Sequence, residues 1–130
     1  MYIAVDFDGT CVEHEYPEIG KDIGAVPVLK EIIANGHKLI LHTMRSHPAP
    51  NNSSSIIYRD TLQEAIDWFK NNGIELFAAN ENPTQYRWTR SKKIFANLYI
   101  DDAALGAPLV NGHIDWVKVR EMLVELGVIK

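Results

Sequence analysis

A single cysteine, Cys11, stands in a chain of 130 residues. That excludes an intramolecular disulfide and removes any need for an oxidising compartment. No apolar run reaches membrane-spanning length, and the N-terminus shows neither a basic region nor a cleavable apolar segment. A cytoplasmic location with no membrane partner is therefore expected. Positive charge is not in excess either: 13 Lys and Arg face 17 Asp and Glu, for a net charge of −4, which argues against broad nucleic-acid binding. Internal repeats are lacking, and so is any composition shift that would mark a linker. What remains is 46% hydrophobic and 23% charged residues, the balance of one globular domain over 1–130 with a single core.

The most informative stretch is Tyr2-Ile-Ala-Val-Asp-Phe-Asp-Gly-Thr10. A short apolar run bounded by Gly reads as a buried strand. Asp6 and Asp8 follow it, where an open α/β sheet places its ligand site. Residues two apart on an extended chain point the same way, so both carboxylates can converge on one ligand. Their mutual repulsion asks for a counter-charge, which a hard divalent cation supplies. Asp8-Gly9 taken alone also suits an ordinary turn. Cys11 has no neighbour in sequence arranged to activate it and reads as a small packing residue.

Residues 11–21 show neither a helical nor a strand period; Pro17 and Gly20 interrupt them, and His14 with its three glutamates reads as a solvated acidic loop. Residues 22–36 predict a helix starting near Ala25, because Pro27 is tolerated only in a first turn. Residues 37–43 predict a strand closing on Thr43. The stretch 46–56, rich in Pro, Asn and Ser, predicts an exposed loop at the strand ends, on the edge that carries Asp6 and Asp8, expected to serve as a small lid unless a second subunit covers that edge. A helix over 61–72, with Thr61 and Glu64 as a capping box, leads to a third strand at 74–79. Basic and aromatic residues interleave over 84–96 and suit the approach to a helix better than a nucleic-acid surface. A fourth strand ends in Asp101-Asp102, a short fifth is expected at 108–110, and a last helix runs from Asp115 to Leu126. Alternating strands and helices imply a mostly parallel sheet with right-handed crossovers.

Asp6 with Asp8, Thr43, and Asp101 with Asp102 thus each follow an apolar strand, on one edge of a parallel sheet. In this order the chain resembles the haloacid dehalogenase (HAD) superfamily of phosphohydrolases. Asp6-Phe-Asp-Gly-Thr10 matches its first motif, Leu39-Ile-Leu-His-Thr43 the second, Lys93 the third and Tyr99-Ile-Asp-Asp102 the fourth. The match spans nearly the whole chain and is nearest to small capless members, with Ala103 standing where many carry Arg.

The resemblance implies a single-domain, Rossmann-like three-layer sandwich of HAD topology without a cap domain. It implies a Mg²⁺-dependent phosphomonoester phosphatase: Asp6 as nucleophile carrying an aspartyl phosphate, Asp8 as acid and base, Thr43 and Lys93 holding the phosphoryl oxygens. Mg²⁺ would be held by Asp6, Asp8 through its backbone carbonyl and Asp101, with Asp102 ligating directly or through water. Lys92 competes with Lys93 for the lysine role. Arg45, Asn80 and Asn82, with Gln85 and Arg87, are expected at a substrate rim. The expected partner is a small phosphorylated molecule of unspecified class, and a homo-oligomer is left open. Asp8 favours phosphate esters over haloacids, and neither insertion point has room for the cap a phosphonatase needs. Two other readings use the same fold: a receiver-like phosphoacceptor domain, and a non-catalytic binding protein. The receiver would carry its phosphorylated Asp after the third strand, where this chain has Asn80.

Overall fold

The computed structural model describes residues 1–48 and 58–130. Most of the expected 46–56 loop, and with it the expected lid, lies outside the described residues. Strands β1 (Tyr2–Val5), β2 (Lys38–Leu41), β3 (Ala78–Ala79) and β4 (Leu98–Ile100) form one sheet in the order β3-β2-β1-β4. Every pairing is parallel. The molecule is thus a Rossmann-like α/β domain. The expected fifth strand, β5 (Leu109–Val110), does not join the sheet; it pairs antiparallel with an unforeseen β6 (His113–Ile114). Among the described residues, β4 is therefore an edge.

Helices α1 (Ala25–Ala34), α2 (Thr61–Asn71) and α3 (Trp116–Glu125) each bury one stripe. Those stripes meet Ile3, Val5, Leu39, Leu41 and Ile100 in one core. These strand residues are alternate positions in register with one another, so they project from one face of the sheet. The opposite face carries Tyr2, Ala4, Ile40 and Tyr99. Its cover is thin: a 3₁₀ turn (Pro83–Arg87) and the following loop, with Tyr2 against Phe77 and Phe95 and Trp88 against Phe95.

Two details differ from expectation. The N-cap of α2 is Asp60, whose carboxylate accepts from Gln63 N. Thr61 instead exchanges hydrogen bonds with the backbone of Ser46, and Glu64 turns to Arg59. The third strand is shorter than predicted because Ile74 folds into the core behind α2, its N–H returning to Phe69 O.

Candidate active site at the strand ends

The C-terminal ends of β1 and β4 lie side by side where the strand order reverses, with β2 on the other flank of β1. Asp6 extends the β1–β4 ladder by one rung, its N–H donating to Ile100 O at 2.9 Å. Its carboxylate meets those of Asp101 and Asp102, one oxygen from each lying within 4.8 Å of the other two. Asp8 is not in this cluster.

The turn after Asp8 is built to bring the chain close. Gly9 has φ +79°, and a Cβ there would stand 2.2 Å from His14 Nε2 and 2.4 Å from Asp102 Oδ2. Only glycine accepts both the left-handed backbone and that approach. Thr10, fully buried, accepts from Asp102 N at 3.1 Å, and its single hydroxyl proton has Asp6 Oδ2 at 3.0 Å and Asp102 Oδ1 at 3.3 Å as acceptors. Trp116 of α3 pins the same turn through Nε1 to Thr10 O at 2.7 Å.

Electrostatics follow from this crowding. Burial, with the Asp101 charge and a hydrogen bond shared with Asp102, pushes the Asp6 carboxyl from 3.8 up to about 7, against the lowering pull of a backbone hydrogen bond at Phe7 and of Thr10. Asp102 is also penalised by burial, but hydrogen bonds from His14, Asp6 and Thr10 and the His14 charge outweigh it and hold its carboxyl below the ordinary value. Cys11 is buried, with Sγ 3.3 Å from Asp6 O, and burial followed by the nearby carboxylates drives its thiol well up. It is an inert packing residue in this setting.

The second flank is arranged by backbone contacts. Asn80, after β3, adopts φ +53°. Its Oδ1 accepts from Thr43 N at 2.8 Å and its Nδ2 donates to Arg45 O at 3.3 Å. Thr43 Oγ1 accepts from Arg45 N at 3.1 Å, and among the described residues its proton has no acceptor, so it can donate to a ligand. Lys93 is exposed, with Nζ 6.0 Å above the Tyr99 ring. Lys92 lines a hollow with Asn80, Glu81, Tyr86 and Arg90.

Three residues expected at a rim are interior. Arg45 is 2% exposed and grips Asp8. Asn82 is buried, capping the 3₁₀ turn through Thr84 and donating to Phe95 O. Gln85 is buried and staples the loop, donating to Ser91 O and Lys93 O and accepting from Phe95 N. Backbone groups of irregular segments need partners when buried, and these side chains supply them. His14 lies in an exposed loop, as expected, and also rests its Nε2 3.0 Å from Asp102 Oδ2. Its part in the site follows from the fold of the 13–20 loop, which no periodicity announces.

Fold and site together define a small Rossmann-like α/β domain with an acidic centre at the switch point of its sheet. Among solved structures, a conserved protein from Bacteroides thetaiotaomicron is similar at 40% identity and a TM-score of 0.75, over 97% of this chain and 91% of that one. No family model and no curated protein matches the chain. The chain belongs to the same family as the Bacteroides protein.

Proposed function

We propose that the chain is a Mg²⁺-dependent phosphomonoester hydrolase of HAD type. The observation that carries this reading is the convergence of Asp6, Asp101 and Asp102 beside an open edge of the sheet, with Asp6 raised to about 7 by burial and by its neighbours. Three converging carboxylates, with His14 beside Asp102 alone, fit a hard divalent ion. Asp6, Asp101 and Asp102 would hold it by carboxylate, with the Asp8 carbonyl as the backbone ligand. When bound, the ion offsets negative charge on the carboxylates and the phosphoryl oxygens.

The protein's own groups then divide the work. An Asp6 oxygen attacks phosphorus, the bond from phosphorus to the ester oxygen breaks, and the departing oxygen takes a proton from Asp8. Water next attacks the phosphorus of the aspartyl phosphate and gives a proton to Asp8, releasing phosphate and the Asp6 carboxylate. A carboxylate nucleophile splits one hard hydrolysis into two easier steps. Thr43, with its free hydroxyl proton, and Lys93 hold the phosphoryl oxygens as charge develops. Asn80 at the end of β3 leaves a receiver domain without its phosphoacceptor.

Asp6→Asn should nearly abolish Mg²⁺-dependent hydrolysis of an aryl phosphate while circular dichroism stays unchanged. Wild-type rates in that variant, with contaminants excluded, would remove the reading. A broad panel of phosphate esters is the screen that identifies the substrate class.

A further inference from the structure

Arg45 is the most completely engaged polar side chain at this edge. Its Nε and Nη2 donate to Asp8 Oδ2 and Oδ1, both at 2.8 Å. Nη1 donates to Pro17 O at 3.2 Å and Thr61 O at 3.3 Å, and Nη2 also donates to Glu18 O at 2.9 Å. All five N–H bonds of the guanidinium therefore have acceptors. The Phe7 and Tyr16 rings lie 5.0 and 5.1 Å from its central carbon. A buried ion pair is a poor device for stability alone, since apolar replacements often do as well. This one costs burial of a full charge and fixes the plane of a single carboxylate two residues from Asp6.

We propose that Arg45 is a positioning residue for Asp8. It fixes the carboxylate that exchanges protons with the ester oxygen and with water, and ties that orientation to the 13–20 loop and the start of α2. The proposal rests on the hydrolase reading above. Lysine cannot reproduce a planar two-point grip, so Arg45→Lys keeps the charge and loses the aim.

The test is leaving-group dependence, which a merely structural arginine would not alter. An alkyl phosphate needs its departing oxygen protonated, whereas dinitrophenyl phosphate does not. For Arg45→Lys, kcat/KM on an alkyl phosphate should fall about 100-fold, the scale of a mispositioned acid-base group. On dinitrophenyl phosphate, kcat/KM should stay within about 3-fold, because it reports only the step up to ester cleavage. Turnover of that substrate should instead become burst-like, one equivalent of dinitrophenolate preceding slow hydrolysis of the phosphoenzyme. Equal losses on both substrates, or none on either, would overturn the proposal.

Should Arg45→Lys not fold, Asp8→Asn is compared with Asp8→Asn/Arg45→Met, which leaves no stranded charge. Identical kcat/KM values support action through Asp8, and a further loss overturns it. An Asp6→Asn protein as active as wild type would remove the hydrolase reading itself. Activity that depends on Asp6 but shows no leaving-group effect removes only the role of Arg45.

Discussion

At the residue scale, Asp6 makes the acidic centre sensitive to pH in a direction that can be worked out. Its carboxyl lies at about 7 in the folded protein against 3.8 ordinarily, so folding takes up a proton between those values. The stabilisation from the protonated form is complete below the ordinary value and is lost as pH rises through about 7. Under the proposed function a cation would take the place of that proton. Added Mg²⁺ should therefore raise Tm more near pH 8 than near pH 5, by calorimetry on metal-stripped protein; an equal rise at both would uncouple Asp6 from the cation. Gly9 offers a second test. Gly9→Ala forces a left-handed alanine, about 1–2 kcal/mol from the backbone alone, and drives its Cβ into His14 and Asp102. Urea denaturation should show at least that loss.

Elements were legible where burial repeats with a period and illegible where single polar groups decide. The stripe of α1, the Asp115 cap of α3 and the strand leading to Asp6 follow from apolar spacing and familiar caps. The α2 cap did not, because Thr61 and Asp60 both suit an N-cap and the choice was made by Ser46, a distant residue that engages Thr61. Asp60→Ala should accordingly cost about 1 kcal/mol by chemical denaturation, the usual worth of a cap. The interior places of Arg45, Asn82 and Gln85 were equally hidden, since polar side chains near a predicted site read as rim until the backbone they satisfy is known. Gln85 makes the point functional. It donates to Lys93 O, so with Lys93 in its proposed role Gln85→Ala should weaken phosphate binding, seen as a higher KM.

On the scale of the whole molecule, the parallel order and its reversal between β1 and β4 bring together Asp6 and the Asp101-Asp102 pair, 95 positions further along the chain in the case of Asp101. Among the described residues no helix is long and apolar enough to cross a membrane. Among the described residues, the three α-helices pack on one face of the sheet, so the cooperative core is lopsided. The unequal cover has a kinetic consequence. The 83–97 segment touches the sheet mainly through aromatic edges, buried amides and Ile94, and none of its side chains belongs to the cluster that the helices share. Its backbone amides should trade hydrogen for deuterium through partial openings, while those of β1 and β2 wait for global unfolding. Because Lys93 rides on that segment, the proposed hydrolysis should be lost on heating some degrees before the sheet melts, a gap that paired activity and circular-dichroism melts would measure.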